Sequence, residues 1–254
     1  MIISNRFWTR YIGLLRSIND KAADEMKAFL AARNWRADNV AKQACIDFGY
    51  ALSSKYGAAA GAVACQMYDA LARQASVSVP SALPAETATY DEVSRSVVGT
   101  MKTNNDDVIA GAVGRLVKMA GVDTTMQNAI RDGAEWAWVP RGDTCAFCIT
   151  LASRGWQKAS VAQLKGGHAE HIHANCDCTY AIRFNQNTNV AGYDPDQYLD
   201  MYMDQPGRSS KAKINAMRRQ FYADNRKKIT AQKRDAYAKR KELNSSSAEE
   251  TNID

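Results

Sequence analysis

Four of the six cysteines and all three histidines lie in one stretch of the chain, between Trp136 and Phe184. A Cys-x-x-Cys pair opens this stretch, and a second group with one histidine and two cysteines follows after a gap of 24 residues. Thiolates and imidazoles in two groups, each closing a tight turn, are typical of a tetrahedral structural zinc site. The sequence therefore predicts one structural Zn²⁺ ion, with the candidate ligands Cys145, Cys148, His173, Cys176 and Cys178.

These five candidates compete for four positions on the metal. The favoured ligands are Cys145, Cys148, His173 and Cys176. Residues two apart in a strand point to the same face, so Cys178 could reach the ion as well as Cys176. Two other interpretations of the cysteines stay open. One is reduced thiols that bind no metal, and the other is a redox Cys-x-x-Cys, which here lacks the surrounding βαβ unit of a thioredoxin.

A catalytic zinc site is the alternative that would make the protein an enzyme. Zinc deaminases place His-x-Glu before Pro-Cys-x-x-Cys, and the glutamate moves protons. In this chain His168-Ala169-Glu170 comes after Cys145 and Cys148, and no proline precedes the first cysteine. Four protein ligands would also leave zinc no open position for water. We therefore predict no catalytic residues, and a hydrolase or toxin would have to depend on His168 or Glu170.

Two short strands are predicted to hold the cysteine groups in place. Trp136–Val139 is aromatic and β-branched and stops at Pro140, and Thr179–Phe184 alternates directly after the second cysteine group. A sheet of two or three strands is marginal in water. Zinc that joined the two turns would fix the register of the strands, and structural zinc contributes on the order of 10 kcal/mol to such a module.

The N-terminal part of the chain has the spacing of amphipathic helices. Apolar residues recur every three or four positions over residues 5–32 and 36–76, which predicts two helices paired as a hairpin. Small residues from Gly57 to Ala62 would let a partner helix approach closely. Two prolines in the segment Ser76–Thr89 predict an extended linker.

Helical spacing resumes after this linker. The pattern predicts helices over Tyr90–Met101 and Asp106–Met119, and a further helix from an N-cap at Asp123 to about Gly133. Beyond the second strand, Asp194 and Pro195 have the types expected of an N-cap and a first helical residue. The expected fold class is mainly α with a small zinc-pinned antiparallel β module.

Composition limits the class of protein. The chain has 254 residues, of which 46% are hydrophobic and 24% charged, as in an ordinary globular protein. No apolar run reaches the length of a membrane helix, and Met1–Arg6 lacks the start of a secretory signal. We therefore expect a reducing cytosol, where paired cysteines bind metal more often than they form disulfides. Cys45 and Cys65 lie in helical sequence and are predicted to be small buried hydrophobes.

The net charge of +6 is concentrated near the C-terminus. Residues 208–241 contain 13 Lys or Arg and two Asp, and Ile214, Met217 and Phe221 form an apolar stripe in the first half of this basic arm. The predicted contacts to nucleic-acid phosphates are Arg226, Lys227, Lys228, Lys233, Arg234, Lys239, Arg240 and Lys241. A solvated helix face and an acidic protein partner are the alternatives.

These observations predict five segments. They are a helical hairpin (1–76), a linker (77–89), helices with the zinc-bound β module (90–205), a basic helical arm (206–243) and a disordered tail (244–254).

The cysteine region resembles a known family. Trp138–Cys148, Leu151–Trp156 and the closing His173–Cys178 are similar to the motif of Mu F-like minor head proteins of tailed bacteriophages, particularly those of actinobacterial phages and prophages. The helical stretch from Tyr56 to Asp69 is similar as well, and the resemblance covers roughly residues 40–205.

This resemblance implies a minor capsid or head morphogenesis protein, and we expect no enzymatic role for it. It would lie in the virion, at the interior of the phage head, and in the host cytoplasm during assembly. The implied partners are the portal protein and the major capsid or scaffold proteins, while the basic arm would suit contact with packaged DNA. The competing class is a zinc-ribbon nucleic-acid-binding protein outside the virion.

Overall fold

The computed structural model describes residues 2–140, 144–161, 179–228, 230–231 and 234. Its helices are α1 (Asn5–Ala31), α2 (Asn39–Gln74), α3 (Tyr90–Met101), α4 (Asp106–Arg131), α5 (Ala146–Ala152), α6 (Pro195–Met203) and α7 (Ser210–Asp224). Its strands are β1 (Ile2–Ile3), β2 (Glu135–Val139), β3 (Gln157–Lys158), β4 (Thr179–Arg183) and β5 (Asn189–Val190). The fold is mainly helical with a small three-stranded antiparallel sheet, and that part of the predicted fold class is confirmed.

Helices α1 and α2 form the predicted antiparallel hairpin. The rings of Phe29 and Phe48 stack with centroids 4.2 Å apart near its closed end. Trp8 and Met67 share one core cluster at the other end, where both are buried. Helix α4 packs along both α1 and α2, and α3 covers α2 where Gly49 meets Val93 and Val97. A helical bundle is the result.

The predicted break before Asp123 is wrong. Helix α4 runs without interruption from Asp106 to Arg131, and Asn105 is its N-cap. Gly121, which lies between the two predicted helices, is at the point where α4 crosses the hairpin, since a Cβ there would lie 3.3 Å from Leu15 Cδ2. Thr124 Oγ1 donates to the carbonyl of Ala120 at 2.7 Å, which satisfies its buried hydroxyl inside the helix. The glycine therefore marks a close helix contact and no helix end.

Residues 77–89, which we call the strap, contain no helix or strand and lie along α2 and α4. A Cβ on Gly57 would lie 3.0 Å from Thr87 Cγ2, and one on Gly61 would lie 3.3 Å from Pro84 Cβ. The small residues of α2 therefore admit an extended segment as well as a helix. The predicted linker is packed against the bundle along this length.

Side chains of α2 and α4 hold the strap by its backbone. Asp69 Oδ1 accepts from Ala82 N at 2.8 Å, and Thr124 Oγ1 accepts from Ala85 N at 2.9 Å. Asn128 binds Leu83 twice, because Oδ1 accepts from its N–H and Nδ2 donates to its carbonyl. An extended segment lacks internal hydrogen bonds, so these polar side chains replace them.

The sheet has the order β3-β2-β4, and both pairings of β2 are antiparallel. Tyr180 makes edge contacts with Trp136 and Trp138, and Tyr68 of α2 meets Phe184 in the same way. Ala137 and Ala181, which point to the opposite face of the sheet, are also fully buried. The bundle and an aromatic cluster therefore cover this sheet and supply apolar contacts beyond those of its own strands.

Three short strands, β1, β3 and β5, were missed by the sequence patterns. β1 pairs with β5 in parallel, with Ile3 opposite Val190, and both side chains are buried. This pair fixes the start of α1, whose N-cap Ser4 accepts from Phe7 N at 3.2 Å, next to the β module. Among the described residues, no helix is long and apolar enough to cross a membrane.

Candidate functional site

The antiparallel pairing of β2 and β4 defines one end of the sheet at which both cysteine groups join it. Val139 is the last residue of β2 and lies opposite Thr179, the first residue of β4. Six residues after Val139 the chain reaches Cys145, while Cys178 directly precedes Thr179 in sequence. The two predicted strands and their pairing are confirmed, and their register brings the two connections side by side.

Helix α5 carries the first cysteine pair. Cys145 is its half-buried N-cap residue, with extended backbone angles, and Cys148 is buried in its first turn. Cys145 and Cys148 are three residues apart, across the point where α5 begins. The amide of Ile149 donates to the carbonyl of Cys145 at 3.0 Å, which closes this turn. The turn is suitable for two ligands of one metal ion.

The other predicted ligands lie outside the described residues. These are His173, Cys176 and Cys178, together with the loop residues His168, Glu170 and His171. Within the described part of the chain, no group of three or more His, Cys, Asp or Glu residues could hold a metal. The zinc site and its ligand set therefore remain predictions.

The two remaining cysteines lie in the bundle. Cys45 is completely buried, as predicted, whereas Cys65 is only half-buried. Burial raises the pKa of each thiol, so both hold their protons more firmly than an exposed cysteine would. Cys45 and Cys65 belong to α2, whereas Cys145 and Cys148 are at α5. Cys45 and Cys65 therefore serve as controls for experiments on the predicted ligands.

The apolar stripe of the basic arm packs against the helix that carries the cysteine pair. Met217 is 1% exposed and shares a buried cluster with Ala146 and Ile149 of α5, with Ile214 and Phe221 beside it. The predicted stripe is confirmed, and its partner is α5. Helix α7 is therefore docked next to the candidate metal centre.

Lys213 of α7 has a different role from the other cations of the arm. Its ammonium donates to the carbonyl oxygens of Tyr202 at 3.2 Å, Met203 at 2.8 Å and Gln205 at 2.8 Å. These carbonyls lie at the C-terminal end of α6, where a positive charge is favourable. Helix α6 begins at Pro195 with Asp194 as its N-cap, as predicted.

Of the predicted phosphate contacts, four are described, and all four are helical and exposed. These are Arg226, Lys227, Lys228 and Arg234. Lys233, Lys239, Arg240 and Lys241 lie outside the described residues, as does the tail 244–254. The described part of the arm is accessible to a ligand, and its contact with nucleic acid remains a prediction.

The sequence patterns missed the environment of one acid of α4. Asp123 is half-buried, and burial, with a smaller effect of the nearby Glu92, raises its pKa to about 6. The predicted helix break treated Asp123 as an N-cap, whereas it lies inside a continuous helix.

Comparison with known proteins gives a match to a family model. The model of the VG15 protein family matches residues 2–205 of the 254. No curated protein and no solved structure matches the chain significantly.

Proposed function

The chain belongs to the VG15 protein family, which indicates a phage-encoded protein, and we propose that it is a structural minor capsid or head morphogenesis protein. Family membership supports the phage origin. The narrower assignment to Mu F-like minor head proteins, associated with the portal and the interior of the prohead, relies on the resemblance of the cysteine region to that family.

One observation supports a structural role most strongly. Val139 and Thr179 pair at the sheet end where both cysteine groups join, and α5, which follows directly, packs against α7. A metal ion at this end would hold α5, and α5 holds the basic arm. The arrangement is suited to presenting a charged helix in a fixed orientation, as an assembly protein requires.

The residues fit a structural zinc ion on the grounds of donor chemistry. Cys145 and Cys148 lie at the start and in the first turn of α5, and His173, Cys176 and Cys178 complete the predicted donor set. Zn²⁺, when bound, would supply a link between two separate turns. The protein residues would supply deprotonated thiolates and a neutral imidazole, so metal affinity would fall at low pH. A closed donor set leaves no position for a reacting water, and we assign no catalytic residue.

The test is the presence of the protein in phage particles. Mass spectrometry of purified virions and of DNA-free proheads is expected to detect the protein in both, together with the portal protein. Deleting its gene is expected to give fewer DNA-filled heads, and co-purification of tagged protein from infected cells is expected to recover portal, coat or scaffold protein. Absence from virions and proheads alike would contradict the proposal.

The exposed cations of the arm favour one second candidate, a zinc-ribbon nucleic-acid-binding protein outside the virion. It predicts that the protein binds DNA in infected cells and is missing from purified particles. Neighbouring genes offer a second discriminator, since portal and coat or scaffold genes on either side favour the head protein.

A further inference from the structure

The outward face of α7 carries cations and no acids. Lys211, Arg218 and Arg219 are exposed, and helical geometry places them within an arc of about 100° that points away from the buried Met217. The one acidic residue of α7, Asp224, falls on the side of Met217. The arm therefore presents positive charge from its first docked turn, before the segment from Arg226 onward.

Three cations of the helical bundle are paired with carboxylates. Lys27 lies 2.5 Å from Asp107, Arg36 lies 3.0 Å from Asp106, and Lys55 lies 3.6 Å from Glu25. On the outward face of α7, by contrast, the side chains of Lys211, Arg218 and Arg219 form no ion pair with any residue that the structure describes. Their charge is left for an external partner.

Helix α7 is held in a fixed place, which would reduce the entropy lost on binding. Its apolar side packs on α5 through Met217, and Lys213 binds the end of α6. The hydroxyl of Tyr202 also donates to Ser210 Oγ at 2.9 Å. A docked helix keeps its charged side chains in a fixed arrangement, so less conformational freedom is lost when a partner binds.

We propose that Lys211, Arg218 and Arg219 form a sequence-independent binding site for the phosphate backbone of double-stranded DNA. Guanidinium groups bind phosphate oxygens through two parallel hydrogen bonds. A helix of 15 residues is about 22 Å long, and duplex DNA offers one negative charge per ~1.7 Å of its axis, so the phosphates are more closely spaced than the outward cations. An acidic protein surface seldom offers such a continuous row, which is why DNA is the favoured partner. The inference deepens the proposed function by identifying where DNA binds.

The test measures binding of a fluorescent duplex to the full-length protein between about 50 and 200 mM salt. Arg218→Ala/Arg219→Ala is expected to bind at least about tenfold more weakly at about 100 mM salt, and to lower the salt slope by about two. Arg218→Lys/Arg219→Lys keeps both charges but loses the paired guanidinium hydrogen bonds, so its affinity is expected to lie between those of the wild type and the alanine variant. Circular dichroism checks that each variant is folded.

A matched control separates a local contact from a change in net charge. Arg95→Ala/Lys102→Ala removes two exposed charges at α3, which packs on α2 and α4, and is expected to bind like the wild type. If Arg218→Ala/Arg219→Ala behaves like this control, or if the wild type binds no duplex, the proposal is wrong. Polyglutamate can be added as a competitor at the same concentration of negative charge as the duplex. If polyglutamate displaces the duplex, the proposed DNA site is wrong and an acidic protein partner is favoured.

The outcome is independent of the virion test. Absence of the protein from phage particles would contradict the head role and leave DNA binding by α7 intact. Loss of DNA binding with the protein still present in virions would contradict only the inference about α7.

Discussion

The indole Nε1 of Trp35 donates a hydrogen bond of 3.0 Å to Oδ1 of Asp106, and so joins the turn after α1 to the first residue of α4. Arg36 donates to the same carboxylate oxygen at 3.0 Å, and its guanidinium lies over the Trp35 ring. Trp35 is 3% exposed. One carboxylate thus holds together two turns that are 71 residues apart in the chain.

We expect Asp106→Ala to lower the free energy of unfolding by about 2 kcal/mol, because it leaves the buried indole N–H unpaired and removes a charge at a helix N-terminus. Urea unfolding followed by circular dichroism measures the change. Asp20→Ala is the control, since Asp20 and Arg16 are both more than 60% exposed and such pairs contribute less than about 1 kcal/mol. Equal losses in the two variants would contradict the role of Asp106.

Gly57 and Gly13 provide a matched test of the strap. Gly57→Ala would push a methyl group against Thr87, and we expect it to destabilise the protein by about 1 to 3 kcal/mol. Gly13 lies in α1 with nothing within 4 Å of its Cβ position, so Gly13→Ala is expected to stabilise by up to about 1 kcal/mol. Thermal unfolding of both variants checks the opposite signs. A stabilising Gly57→Ala would mean that the strap does not pack on α2.

Asp123 is expected to make stability depend on pH. Its pKa is raised from 3.8 to about 6 in the folded protein, so the folded state holds a proton that the unfolded state has lost. Stability therefore falls as pH rises from about 4 to about 6, by at most about 3 kcal/mol.

Asp123→Asn removes this titration. The variant is expected to be more stable than the wild type at pH 7 and nearly equal to it at pH 4, as measured by denaturant unfolding at both values. A stability difference that is the same at both pH values would contradict the burial of an ionisable carboxyl at this position.

The predicted zinc site can be tested by elemental analysis. Protein purified without added metal is expected to contain close to one equivalent of Zn²⁺, and Cys145→Ser is expected to lose it. Chelation is also expected to lower the melting temperature of the wild type. Cys65→Ser, which changes a half-buried cysteine of α2, is the control and should keep the metal. Zinc-free wild-type protein, or a Cys145→Ser variant that keeps its zinc, would contradict the prediction.

Several elements could be predicted from the sequence because their causes are local. Thr89 and Glu92 form a capping box at the start of α3, and Asp194 with Pro195 starts α6. The strand Glu135–Val139 was recognised to within one residue from its aromatic and β-branched composition. In each case, neighbouring residues alone decide the backbone conformation.

The candidate site was predictable only in part. Spacing identified the cysteine pair and the apolar stripe around Met217, because both are patterns of a few residues. It did not identify α5 as a helix or as the partner of that stripe, and it left the cations of α7 unremarked beside the denser charge that follows. Which side of α7 faces solvent depends on where α5 and α6 pack.

The sequence by itself determined most of the longer helices and the two main strands, where several of them begin, and where the ligand-type residues and positive charge lie along the chain. Only the tertiary structure decided that α4 continues past Gly121, that the strap lies on Gly57 and Gly61, and that Ile3 pairs with Val190. Caps and periodicity act within one or two turns of the chain. These three features depend on close approach between residues that are distant in sequence, and they form only where burial of apolar surface and backbone hydrogen bonds outweigh the entropy of bringing such segments together.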